Sequence, residues 1–186
     1  MSTSLRLTPA EYDLMVSAGA FDRLNRRTEM IDGEICEMSP AGPIHDDYVQ
    51  FLIQWSQRIC FSNEAVLRVQ SGVLVGASVP EPVLCLLKPA RYFDRRVTAA
   101  DSLLVIEVAD SSLSFDLGEK ASLYASGGVE DYWVIDVAAS KLHRHREPTA
   151  ATYRRIEVFG REDSLSPHHF PSAVLVLADL FITGPS

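Results

Sequence analysis

The run Leu-Leu-Val-Ile-Glu-Val at residues 103–108 sets the tightest limit on what this chain can fold into. Leu103, Leu104, Val105, Ile106 and Val108 are apolar and rich in β-branched side chains, with no alternation of polar and apolar positions. That pattern belongs to a strand covered on both faces. Glu107 sits inside the run. A buried carboxylate is costly unless it is paired or bound to a metal. Glu107 therefore stands at a strand end that meets solvent, pairs with a basic group, or holds a divalent cation at the carboxyl end of a central strand, where sites of α/β folds gather.

The flanking sequence supplies layers for such a strand. Thr8-Pro9 followed by Glu11 is the start of a helix, with a capping box and proline at the first helical position, and Gly19 is a plausible stop. Asp32-Gly33 between two short β-compatible runs predicts a tight hairpin. "SPAGP" at 39–43 breaks the chain, and Ile44, Tyr48, Leu52, Trp55 and Ile59 then recur at helical spacing up to Cys60. Residues 65–75 and 83–87 read as strands, 112–128 as a helix ended by Gly127-Gly128, and 131–137 as a further strand. Two antiparallel strands with a turn around Pro148 follow, and the apolar end 171–181 reads as strand or short helix. The order predicts one domain over residues 1–186 of α/β or mixed α+β class, a mixed sheet flanked by helices.

Composition narrows the function. With 186 residues and 47% hydrophobic content the chain can bury a sizeable core. No apolar run is long enough to span a membrane, and the start "MSTSLRLTPAEY" lacks a secretion signal's apolar core, so a cytoplasmic protein is expected. Cys36, Cys60 and Cys85 show no zinc or redox spacing and read as buried thiols. A net charge of −8 argues against polyanion binding over the whole surface, yet leaves room for a local basic cleft. Candidates for such a cleft are Arg91, Arg95 and Arg96, then Arg144 and Arg146 in "HRHR", then Arg154 and Arg155; solvated strand and loop faces are the simpler reading of each. A phosphate-binding loop, a dinucleotide fingerprint and a serine nucleophile elbow are all missing. His168 and His169 are adjacent, and adjacency does not put two imidazoles on one helix face, so no metal is expected there.

What remains is acidic. Asp116 and Lys120 lie one turn apart on the helix after the buried strand, and Glu29 lies on the hairpin. Two or three carboxylates with one lysine suit phosphodiester cleavage: the carboxylates hold Mg²⁺ or Mn²⁺, and the lysine supports the attacking water or the charged transition state.

The segments "TEMIDGEICEMSPAGPIH", "VPEPVLCLLKP" and "LLVIEVADSSLSFDLGEKASLYASGGVEDYWVIDV" resemble the Uma-two family of restriction-endonuclease-like proteins, in the PD-(D/E)xK nuclease superfamily. The resemblance covers roughly residues 7–181 and is most specific over 103–137. It implies a restriction-endonuclease-like core and a metal site in which Glu107 is the strand glutamate, Lys120 a lysine moved onto the helix, Asp116 its partner ahead of it, Glu29 the hairpin glutamate and His45 the family histidine. The usual superfamily lysine position holds Ala109. The family's principal ligand, an aspartate after proline, is replaced by Val83, which cannot coordinate a hard cation. Glu81 is a substitute of the right chemistry, but about 7 Å further back along an extended segment and stiffened by Pro82. The resemblance thus implies a Mg²⁺- or Mn²⁺-dependent DNA endonuclease with a degenerate site. The alternative is an inactive nuclease fold that binds nucleic acid or protein. A symmetric homodimer would supply two sites for two strands.

Overall fold

The computed structural model describes residues 5–24, 27–38 and 42–181. Residues 39–41 of the predicted "SPAGP" break lie outside them.

The buried run is the centre of a sheet. Strand β5 (Ser102–Ala109) is buried along its whole length. It is third in a six-stranded sheet of order β3-β4-β5-β6-β7-β8, built from β3 (Val66–Val69), β4 (Leu84–Leu87), β6 (Asp131–Asp136), β7 (Lys141–Pro148) and β8 (Tyr153–Phe159). All neighbours are antiparallel except β5 and β6, which run parallel with Glu107 opposite Val134. A parallel pair needs a crossover. Here it is a helical segment made of α3 (Leu113–Phe115), a π turn (Asp116–Lys120) and α4 (Ala121–Ser126).

The period of two along β5 assigns its faces. Leu104, Ile106 and Val108 pack with Leu52, Trp55 and Ile59 of α2 (Pro43–Cys60) and with Trp133 and Ile135 of β6. Val105 and Ala109 pack the other way, with Ala121, Tyr124 and Ala125. Glu107 shares the parity of Val105 and Ala109, so it faces the crossover helix. Trp55 and Trp133 meet at 5.9 Å between ring centroids. The chain end, β9 (Ser164–Leu165), β10 (Leu175–Val176) and α5 (Leu177–Leu180), closes over α2, with Trp55 Nε1 donating to the Val174 carbonyl at 3.2 Å.

A second, two-stranded sheet lies outside the main one. It is the hairpin of β1 (Thr28–Ile31) and β2 (Glu34–Glu37), turned by Asp32 and Gly33, both at positive φ as a two-residue turn of this kind requires. Helix α1 (Pro9–Ser17) carries the full capping box between Thr8 and Glu11. Its Tyr12 supports the hairpin through Met30 and donates to the Thr28 carbonyl at 3.0 Å. Met30 and Val79 exchange backbone hydrogen bonds, which fixes the hairpin against the segment leading into β4.

Several boundaries differ from the sequence reading. The strand expected over 65–75 stops at Val69, because Gln70 turns the chain at φ 46°. Ile44, expected on the buried face of α2, is exposed. Only Cys85 is a buried thiol; Cys36 and Cys60 are half-buried. The apolar end is both strand and short helix. No helix among the described residues is long and apolar enough to cross a membrane.

Leu104 is fully buried on the α2 face, whereas Ile156 on edge strand β8 is exposed. Leu104→Ala is expected to cost about 2–5 kcal/mol in urea unfolding, and Ile156→Ala less than about 0.5 kcal/mol. Equal losses would contradict this placement of the core.

Candidate active site

Glu107, Glu29, Asp116 and Lys120 are all buried charged side chains, and they come from three separate elements. Glu107 projects from β5 toward the crossover helix. Lys120 closes the π turn, and its Nζ lies 3.1 Å from Glu107 Oε1, 3.0 Å from Glu29 Oε2 and 3.9 Å from Asp116 Oδ1. A π turn adds a residue to the helical repeat and is frequent at functional sites. Here it contains both Asp116 and Lys120.

The chain surrounds these groups with donors. Tyr124, four residues beyond Lys120, donates its hydroxyl to Glu107 Oε1 at 3.2 Å. The Val83 backbone N–H donates to Glu107 Oε2 at 3.2 Å, and the Glu81 N–H donates to Glu29 Oε2 at 3.0 Å. Ser112 donates to Asp116 Oδ2 at 2.5 Å, and the Tyr132 hydroxyl to the Asp116 carbonyl at 2.9 Å.

Charge does not balance within the cluster. Three carboxylates face one ammonium. Glu107 is raised to about 7, first by burial, against the pull of Lys120 and with Asp116 and Glu29 adding to the rise. Asp116 is also raised, first by burial and against the pull of Lys120. Burial alone would lower Lys120, but Glu107, Glu29 and Asp116 together outweigh it and hold the ammonium charged. The two ends of the Glu107–Lys120 pair thus both move upward. The physical reason is sharing: one ammonium divided among three carboxylates does not offset the desolvation of Glu107 and Asp116. Tyr124 is raised well above its usual range by burial and by the adjacent Glu107, so it stays a donor.

Glu29, Glu107, Asp116 and Lys120 line a cavity of about 380 Å³ that also takes in Arg27, Cys36, His45, Val83 and Phe115. The His45 side chain is mostly buried there, its Nδ1 3.6 Å from Asp46 Oδ1. Glu81, considered above as a substitute ligand, does not line the cavity; its carboxylate pairs with Arg27 at 3.2 Å and is raised mainly by burial. Val83 is buried, and it presents a backbone N–H, not an oxygen, to Glu107.

None of the arginines considered for nucleic acid lines this cavity. Arg95 is held by Asp101, Arg96 by Asp13, Arg144 by Glu157 and Arg146 by Asp131, while Arg91 lies over the Phe93 ring. Arg27 is the arginine on the cavity wall, and sequence reading passed over it. Its spacing of two from Glu29 was the available signal, as the spacing of four from Lys120 was for Tyr124.

A family model named Uma2 and described as "Putative restriction endonuclease" matches residues 10–178. Among solved structures, the chain is similar to one titled as a "putative nuclease belonging to DUF820" from Anabaena variabilis. The TM-score is 0.66 at 18% identity, over 87% of this chain and 94% of that one. At that identity the likeness is one of fold. No curated protein matches the sequence.

The raised Glu107 gives a pH signature. A carboxyl with a folded value of about 7 against the usual 4.5 keeps its proton in the folded state after the unfolded chain has lost it. Its contribution to stability is therefore greatest below 4.5, falls as pH rises toward 7, and is level above that. Glu107→Gln should remove this fall, so urea unfolding of variant and wild type should diverge across that interval. Parallel curves would contradict the assignment.

Proposed function

The chain belongs to the Uma2 family; on that premise we propose that it is a nuclease hydrolysing DNA phosphodiester bonds at the Glu29–Glu107–Lys120 centre, with Mg²⁺ or Mn²⁺ as cofactor. The observation that carries the reading is the convergence of three carboxylates and one lysine on one cavity beside the central strand.

The donor set fits a hard cation. Glu29, Glu107 and Asp116 offer only oxygen, the ligand type that Mg²⁺ and Mn²⁺ take. The raised value of Glu107, with burial as its first cause and Asp116 and Glu29 adding to it, goes with a local shortage of positive charge. Glu107 and Asp116 would hold the ion, with Glu29 beside them. When bound, it would offset charge on the phosphate and lower the pKa of a water.

The chain's own residues do the rest. Glu29 and Glu107 orient Lys120, whose ammonium can donate to a phosphate oxygen as negative charge builds there. Tyr124 fixes the rotamer of Glu107. Arg27 can shed Glu81 for a neighbouring phosphate, since an exposed ion pair of this kind is weak and a phosphate takes the guanidinium with two hydrogen bonds. Cutting both strands of a duplex requires two such centres, which a homodimer would supply.

A second reading is favoured by one observation. The Val83 N–H occupies Glu107 Oε2, at the position where the resemblance to the family implies an aspartate. On this reading the fold binds nucleic acid or a protein without cutting it.

Nicking of supercoiled plasmid with Mn²⁺ separates the two. The nuclease reading expects cutting by the wild type that falls about 10²-fold or more in Glu107→Ala and Lys120→Ala, and a faster rate in Val83→Asp. Wild-type cutting no faster than Glu107→Ala would refute it and leave the second.

A further inference from the structure

We infer that Glu130, His168 and His169 form a binding site for a borderline divalent cation of the Zn²⁺ class, distinct from the carboxylate centre. One ligand atom from each of the three residues lies within 4.8 Å of the others. The two histidines are neighbours in sequence, and an extended backbone would send them to opposite sides. A turn closed by the Phe170 N–H on the Pro167 carbonyl at 3.2 Å bends the chain instead. Their rings then meet edge-on, with centroids 5.0 Å apart at 79°. His169 Nε2 already lies 3.0 Å from Glu130 Oε2. A cation would take the place of the proton between them.

The residues that carry these donors are braced from beneath. Asp131, next to Glu130, is fully buried. It accepts from Arg146 Nε at 3.0 Å, Arg146 Nη2 at 3.1 Å and Trp133 Nε1 at 2.8 Å. Its Oδ2 also accepts the His168 backbone N–H at 2.7 Å. Arg146 Nη2 reaches the Ser166 carbonyl at 3.0 Å as well. Leu165 and Phe170 anchor the two ends of the histidine loop in the core. One buried carboxylate thus fixes both the start of β6, next to Glu130, and the loop that presents the imidazoles, so little ordering is left for binding to impose.

Donor chemistry selects the ion. Two imidazole nitrogens and one carboxylate form the three-ligand set that Zn²⁺ takes with its fourth position open. Imidazole suits Zn²⁺ far better than Mg²⁺. The three side chains are exposed, so an ion reaches them directly. None of them lines the carboxylate cavity. The parallel register sets Val134 opposite Glu107, and the first residue of β6, Asp131, lies about 10 Å further back along the strand with Glu130 just before it.

The test is titration of Zn²⁺ into tag-free protein against a chromophoric chelator, with Mg²⁺ as comparison. It is run on the wild type and on Glu107→Gln, which removes a carboxylate from the other centre. The expected result is one equivalent of Zn²⁺ in both. Affinity should fall at least about ten-fold in His168→Ala and in His169→Ala, and stay unchanged in Cys36→Ser. Zn²⁺, and not Mg²⁺, should raise Tm in the wild type and leave it unmoved in the double variant His168→Ala/His169→Ala. Stoichiometric Zn²⁺ binding that survives in the double variant, or no stoichiometric binding in the wild type, would overturn the proposal.

Discussion

The ion pair between Glu107 and Lys120 joins the longest fully buried strand of the sheet to the helix that leaves it. Glu107 is buried toward the carboxyl end of β5, and the crossover helix sets a cation 3.1 Å from it. That pairing fixes the rotation of the helix, since Lys120 must face the sheet while Ala121, Tyr124 and Ala125 pack against Val105 and Ala109. It also fixes the hairpin, because Glu29 reaches the same ammonium. Removing Lys120 would leave three buried carboxylates without their cation, whereas removing Glu107 leaves the ammonium still paired with Glu29 and near Asp116.

The site follows from this geometry and from the one parallel step in the sheet. Because β5 and β6 run parallel, the chain must cross over, and the crossover brings helical side chains to the face of β5 that Glu107 occupies. The π turn places Asp116 and Lys120 together at that point. The result is a cluster with more negative than positive charge in a cavity open enough to admit a ligand. A cation, a proton or a further basic group would each relieve it.

Much of this was legible in the residues. The doubly covered strand, its intruding glutamate, the Asp32-Gly33 turn and the Thr8–Glu11 cap are local patterns, and local patterns carry their own physics. Asp116 and Lys120 were readable as one helical face. What escaped were contacts made at long range or by backbone. The N–H groups of Glu81 and Val83 that hold Glu29 and Glu107 have no side-chain signature. Arg95, Arg96, Arg144 and Arg146 looked like a basic surface because the partners that bind them are set by strand register and loop packing, as with Asp131 opposite Arg146. The convergence of His168 and His169 depends on a turn that two adjacent residues do not announce.

A shortage of positive charge around Glu107 underlies the chemistry of the site. The most direct measurement is an NMR titration of the Glu107 carboxyl carbon, with and without Mg²⁺. The predicted midpoint is about 7 in the absence of the ion, falling when Mg²⁺ is added. A midpoint at the usual 4.5, unmoved by Mg²⁺, would mean that Lys120 alone satisfies the site and would contradict the account.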